Sequence, residues 1–290
     1  MYKGVFTALV TPFTQDNKID YDKLKELVEM QIAAGVAGLV PVGTTAESPT
    51  LSSDETKKII SLVVKQGDGR VPIIAGAGSN STEKAIEQTR KVAEYGADAS
   101  LQVVPYYNKP TQEGLIKHFT AIADAVDLPV ILYEVPGRSA ISLDNSSIIK
   151  LAQHSGIVGV KVASGNVSSI MDLIASRPEG FSVLSGDDNL AYPLMALGGS
   201  GLISVASNLY PKLTVELVDA CIKENWKEAR DIHYKLLPMF RSMFIESNPI
   251  PVKAAMAMKG YILEQYRLPL CKMASANRTK LQQIITEFEK

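Results

Sequence analysis

Lys161 stands near the end of the apolar run Ile157-Val158-Gly159-Val160-Lys161-Val162-Ala163, the only charged residue in it. Such a run reads as a strand buried on both faces. Taking an ammonium out of water disfavours its charged form, so its pKa is expected to fall. A neutral amine attacks carbonyl carbon, and a Schiff base is its commonest product. The alternative is a lysine that has reached the strand end and extends along its stem into solvent. Other reactive side chains also follow short apolar runs. Gly43-Thr44-Thr45-Ala46-Glu47-Ser48 offers backbone N–H groups and hydroxyls that suit a small carboxylate, or only a turn and helix cap. Tyr133-Glu134-Val135-Pro136-Gly137-Arg138 supplies a phenol and a guanidinium, and Pro105-Tyr106-Tyr107-Asn108 two more phenols. Gly186-Asp187-Asp188 adds carboxylates, and Ser204-Val205-Ala206 closes the set. Singly, each has a plainer reading: Tyr133 as core with its hydroxyl on backbone, Arg138 as a loop arginine, Tyr106 and Tyr107 as a subunit-interface pair. His118, His154 and His233 read as helical, and no His/Cys/Asp cluster accompanies them. No metal and no cofactor is expected.

The elements that must position these groups follow from alternation. Short apolar runs bounded by Gly or Pro occur at Val5–Val10, Gly38–Val42, Pro72–Ala75, Ser100–Val104, Val130–Tyr133, Ile157–Lys161, Ser182–Leu184 and Gly201–Val205. Between them lie helical faces, such as Leu24, Leu27, Val28 and Ile32, or Leu115, Phe119, Ile122 and Val126. Ser52-x-x-Glu55 and Asn80-x-x-Glu83 have capping-box form. Strands alternating with helices predict a parallel sheet, and eight strands close a TIM (β/α)8 barrel. A doubly wound open sheet is the other candidate. However, Thr11-Pro12-Phe13 after the first run is no Gly-rich phosphate turn. From about residue 212 the chain reads as helices only, with breaks near Pro238, Asn248–Pro251 and Leu268–Pro269. We therefore expect a barrel over residues 1–225 and a C-terminal helical region over 226–290. In a barrel, all the groups above would gather at the C-terminal face of the strands, where active sites form.

Composition narrows the function. The 290 residues are 46% hydrophobic, enough for a large core, and the net charge of −1 gives no basic footprint for nucleic acid. Two distant cysteines, Cys221 and Cys271, make no metal or redox spacing and suit a reduced cytoplasmic protein. No secretory or transit pattern opens the chain, and no apolar run nears the ~20 residues of a membrane span.

Taken together, these strings resemble the dihydrodipicolinate synthase family of pyruvate-dependent class I aldolases. The likeness runs through Phe6-Thr7-Ala8-Leu9-Val10-Thr11-Pro12-Phe13, Val42-Gly43-Thr44-Thr45, Pro105-Tyr106-Tyr107-Asn108-Lys109-Pro110, Gly159-Val160-Lys161, Leu184-Ser185-Gly186-Asp187-Asp188 and Asn248-Pro249-Ile250-Pro251-Val252-Lys253. The resemblance implies that Lys161 forms the Schiff base with pyruvate. It implies a proton relay of Tyr133, Thr44 and Tyr107, the last donated by a neighbouring subunit. Thr45 would hold the pyruvate carboxylate and Arg138 that of L-aspartate-4-semialdehyde. Gly186 and Ile203 would line the site with backbone. A homotetramer built as a dimer of dimers is implied as well, as is a reaction that opens diaminopimelate and lysine biosynthesis.

Three departures from the family pattern stand out. Ala46 replaces the usual glycine, which matters only if that backbone needs a positive φ. Glu134 replaces asparagine after Tyr133 and would compete for Arg138 if it paired with it. Val162 replaces an acidic residue after Lys161. Glu134 and Val162 motivate a second reading, a related pyruvate aldolase of the N-acetylneuraminate lyase or keto-deoxy sugar acid type. A non-catalytic descendant is a third, against which the full set of reactive residues speaks. The family's lysine-feedback cleft maps to Ser48, Asn80, Lys84 and Tyr106. Lys84 stands where sensitive members carry a glutamate, so weak or absent sensitivity to L-lysine is expected.

Overall fold

In the computed structural model, which describes all 290 residues, eight strands alternate with helices. They are β1 (Gly4–Ala8), β2 (Gly38–Val40), β3 (Ile74–Gly76), β4 (Ala99–Val103), β5 (Val130–Glu134), β6 (Ile157–Val162), β7 (Ser182–Ser185) and β8 (Gly201–Ser204). Every neighbouring pair is parallel, in the order β2-β1-β8-β7-β6-β5-β4-β3. A single parallel bridge, Leu39 to Ile73, joins the β2 and β3 edges and closes the ring. The fold is a TIM barrel, and each expected strand is present with its ends shifted by a residue or two.

The period-2 alternation of the strands sorts side chains between two cores. Phe6, Val40, Ile74, Ile131, Leu184 and Ile203 fill the barrel interior, with Tyr133 at the top of the same cluster. The opposite faces pack beneath the helices. Register brings the chemistry together: Tyr133 on β5 pairs with Lys161 on β6, and Lys161 pairs with Leu184 on β7, two residues before Gly186.

The helical region after β8 is continuous with this core. Helices Trp226–Ser242, Ile250–Met258 and Ser275–Phe288 contribute Leu236, Phe240, Val252, Met256, Leu281 and Ile285 to the largest apolar cluster, which also holds Leu9 and Phe13 from the barrel.

Three local expectations fail. Pro238 lies inside the helix Trp226–Ser242 and does not break it. A proline costs one backbone hydrogen bond there, and burial of Leu236, Met239 and Phe240 around it outweighs that loss. The helix Thr82–Glu94 is capped by Ser81, whose hydroxyl accepts from Lys84 N–H, and not by Asn80. His154 lies in the turn after the helix Asn145–Leu151, not in a helix. The Ser52 capping box, in contrast, is complete, with Glu55 reaching back to the Ser52 N–H. No helix is long and apolar enough to cross a membrane.

Candidate active site

The strand ends enclose a cavity of about 470 Å³, walled by Thr44, Thr45, Tyr133, Arg138, Lys161 and Gly186 among others. Lys161 is 6% exposed and makes no hydrogen bond or ion pair; its Nζ lies 4.2 Å from the Tyr133 ring centroid. It has not snorkelled out: the amine stays inside, over an aromatic face. Gly186 allows that placement. A Cβ on Gly186 would stand 2.9 Å from Lys161 Cε and 2.8 Å from the Ala163 Cβ, so a side chain here would push the amine aside.

Thr44 and Thr45 open a short 3-10 turn, Thr44–Ala46, that follows β2. Within the turn, Ala46 and Glu47 donate to the carbonyls of Gly43 and Thr44. The N–H groups of Thr44 and Thr45 have no backbone partner, as at any helix start, and remain open to an anion. Val42 enters the turn at φ +51°, a left-handed setting that a β-branched residue rarely adopts. Gly76 accommodates it, since a Cβ there would meet the Val42 carbonyl oxygen at 2.4 Å. Ala46 has no positive φ, so the missing glycine carries no strain.

Asn248 ties the Thr44–Thr45 turn to Arg138, and its place in the site was not apparent from sequence. Its Nδ2 donates to Thr45 Oγ1 at 2.9 Å, and its carbonyl accepts from Arg138 Nη2 at 2.9 Å. The Arg138 side chain, in the turn Pro136–Ser139, makes this one hydrogen bond and keeps its other donors for the cavity. The only sequence hint of Asn248 was the string in which it sits. Its partners lie 203 and 110 residues away.

The expected competition between Glu134 and the substrate carboxylate is absent. Alternation on β5 turns Glu134 away from Tyr133 into a separate recess with Ser142, Val162, Ser164 and Asn166. Burial pushes its carboxyl up to about 7, and Asp187 adds to the rise while a hydrogen bond with Ser142 opposes it. No ion pair joins it to Arg138. Val162 faces the same recess, so neither departure touches the catalytic cavity.

The remaining expected residues divide. Ile203 is fully buried in the interior cluster and does not line the cavity. Tyr107 is 89% exposed at φ +73° and lies outside its own chain's cavity. Neither the Tyr133 nor the Thr44 hydroxyl has a hydrogen-bond partner within the chain. Asp188 is spent on structure: it accepts from the Ser204 hydroxyl and from the N–H groups of Val205 and Ala206. Asp187 does face the cavity. Burial raises its carboxyl pKa, and the Lys161 charge pulls it back.

The cavity continues past Ser48 and Tyr106 to Lys84, Glu87 and Lys91. Glu87 is paired with Lys91 at 2.5 Å, so Lys84 adds an unmatched positive charge. Asn80 does not line this arm; its side chain donates to the Tyr106 carbonyl at 3.2 Å.

A (β/α)8 barrel that gathers a buried, unpaired amine, a phenol, a guanidinium and free N–H groups at one mouth has the inventory an enzyme needs to act on carbonyl compounds through a lysine. Comparison with known proteins narrows that class. The model of the dihydrodipicolinate synthetase family matches residues 1–288. A 4-hydroxy-tetrahydrodipicolinate synthase of Koribacter versatilis is 51% identical over 286 residues, covering 98% of this chain and 95% of the relative. A chloride-inhibited dihydrodipicolinate synthase from Acinetobacter baumannii, solved with pyruvate, superposes with a TM-score of 0.98 at 42% identity, covering 100% and 99% of the two chains. The enzyme from Cyanidioschyzon merolae, solved with lysine bound, gives 0.96 at 39% identity, covering 99% and 98%. The chain belongs to the dihydrodipicolinate synthetase family.

Proposed function

We propose that this enzyme condenses pyruvate with L-aspartate-4-semialdehyde to 4-hydroxy-tetrahydrodipicolinate, the entry to diaminopimelate and lysine synthesis. The observation that carries the reading is the buried Lys161 amine held over Tyr133 in a cavity shared with Thr45 and Arg138. It is joined by 51% identity across nearly the whole chain to a synthase of that activity.

The residues divide the work as follows. The Lys161 amine adds to the pyruvate ketone carbon, and water leaves to give an iminium. Thr45 and the free N–H groups of the Thr44–Thr45 turn hold the pyruvate carboxylate. The iminium withdraws electrons, so a methyl proton is lost and an enamine forms. Its carbon attacks the semialdehyde carbonyl, whose oxygen takes up a proton. The substrate's own amino group then attacks the iminium carbon, closes the ring and releases Lys161. Tyr133 moves protons in these steps. A tyrosine is a weak base at neutral pH, so it needs a chain of hydroxyls, Thr44 and Tyr107, to reach solvent. Arg138 suits the semialdehyde carboxylate because its planar fork matches a carboxylate with two parallel hydrogen bonds.

Turnover of pyruvate against a panel of aldehydes tests the assignment. L-aspartate-4-semialdehyde should be consumed far faster than sugar aldehydes; preference for a sugar aldehyde would replace this reading with the lyase type. Glu134 and Val162 no longer favour that second reading, because both face away from the cavity.

The exposure of Tyr107 supports a site shared by at least two subunits, and family membership suggests a homotetramer built as a dimer of dimers. Mixing Tyr107→Phe with Lys161→Ala chains should restore activity, since one site in each hybrid dimer receives both intact residues. Verified hybrids without activity would put Tyr107 in its own subunit's site. The protein is proposed to act in the cytoplasm, with no nucleic-acid or membrane partner.

The extra charge of Lys84 in the outer arm of the cavity argues against binding L-lysine, whose ammonium it would repel. A titration of turnover with L-lysine should show little inhibition below the millimolar range. Strong sub-millimolar inhibition would mean that Lys84 leaves the arm open.

A further inference from the structure

The loop that carries Thr44 and Thr45 turns back at Glu47, which sits at φ +58° and is 2% exposed. Both its carboxylate oxygens are taken by the C-terminal helical region. Lys253 Nζ donates to Oε1 at 2.5 Å, and Arg267 N–H donates to Oε2 at 3.0 Å. Lys253 is 0% exposed, with its ammonium 4.2 Å from the Phe13 ring centroid and 5.3 Å from that of Tyr266. The Arg267 guanidinium lies over the other part of this cage, 4.6 Å from the Phe13 centroid, and forks onto Glu55 at 2.6 and 2.8 Å. The turn is pinned from the barrel side too, where Thr11 Oγ1 donates to the Ala46 carbonyl at 2.8 Å.

Such a pair is a poor source of stability. Desolvating two charges costs as much as their attraction returns, and well-packed apolar residues often do as well. The cost is visible here: burial pulls the Lys253 pKa down to about 8, against the upward pull of Glu47. What an ion pair adds over an apolar contact is direction. It fixes one carboxylate, and through it one backbone turn, at set distances. Neither Glu47 nor Lys253 lines the catalytic cavity, so they can affect the reaction only through what they hold. Glu47 lies two residues beyond Thr45.

We propose that the buried Lys253–Glu47 pair is a positioning device by which the C-terminal helical region sets the Thr44–Thr45 turn for the keto-acid carboxylate. This rests on the Schiff-base reading above. It gives the C-terminal extension a task in substrate binding: Asn248, just before the helix Ile250–Met258, orients the Thr45 hydroxyl, and Lys253 in that helix fixes the turn.

The test is the pyruvate concentration that half-saturates borohydride trapping, a readout that needs no second substrate. Lys253→Met and Glu47→Gln should each raise it about tenfold, the scale of one hydrogen bond to a charged group. The trapped fraction at saturating pyruvate should stay near that of the native chain. The double variant, with no buried charge left unpaired, should regain the melting temperature lost by Lys253→Met and keep the raised half-saturation. It also decides the matter if the single variant fails to fold. Half-saturation that returns to the native value together with stability would reduce the pair to a structural role and overturn the proposal. Unchanged half-saturation in folded variants would overturn it too, while leaving the Schiff-base reading intact. A native chain that never traps pyruvate would sink both.

Discussion

Lys161→Ala should fold normally and lose condensation to the uncatalysed background, together with all borohydride trapping by pyruvate. The fold survives because the Lys161 side chain makes no hydrogen bond or ion pair and points into a cavity. Truncation there widens a space that already exists and opens none in the packed layers, which separates it from a core deletion. On the proposed mechanism activity does not survive, because every later step runs through the nitrogen. Without the iminium, the pyruvate methyl is not acidic enough to lose a proton, and the remaining hydroxyls supply only acid–base help. Thermal melting and circular dichroism near native values, with no detectable turnover, are the expected pair of results. Trapping at one pyruvate per chain in this variant would show that another lysine is the nucleophile.

Tyr133→Phe removes a single oxygen and keeps the ring on which the amine rests. Turnover should fall by roughly 10²-fold or more, the usual scale of lost general acid–base assistance. The hydroxyl has no protein partner within the chain, so its removal leaves no buried group unsatisfied and stability should hold. Trapping should persist, more slowly, because the amine is still in place over the ring. Steady-state rates near native would remove Tyr133 from proton transfer and leave it a packing residue.

The barrel was legible because its signals are local. Each strand is an apolar run ended by Gly or Pro, and each helix shows its own face, so eight strands could be read before any contact was known. The positions of Lys161, Tyr133 and the Thr44–Thr45 turn follow from the rule that barrel chemistry sits at strand ends. Pro238 shows the reverse case, a local signal outweighed by packing that the helix finds only in the folded chain. Glu134 was readable and misjudged: strand alternation puts neighbours on opposite faces, so a residue next to inward Tyr133 must point outward. Asn248, Lys253 and Arg267 were not readable as site supports. Their partners Thr45 and Glu47 are more than 200 residues away, and nothing in the local pattern encodes such a meeting. Tyr107 falls between: its exposure agrees with the proposed shared site, and its hydroxyl finds no partner within the chain.

The most direct measurement is the mass of the native chain after pyruvate and borohydride, with the adduct then mapped by digestion. One reduced pyruvate per chain, on the peptide that holds Lys161, is the expected result. Adding L-aspartate-4-semialdehyde before the borohydride should lower the trapped fraction as the enamine is consumed. An adduct on Lys84, Lys253 or any other lysine, or no adduct at saturating pyruvate, would contradict the assignment of Lys161 as the group that carries the reaction.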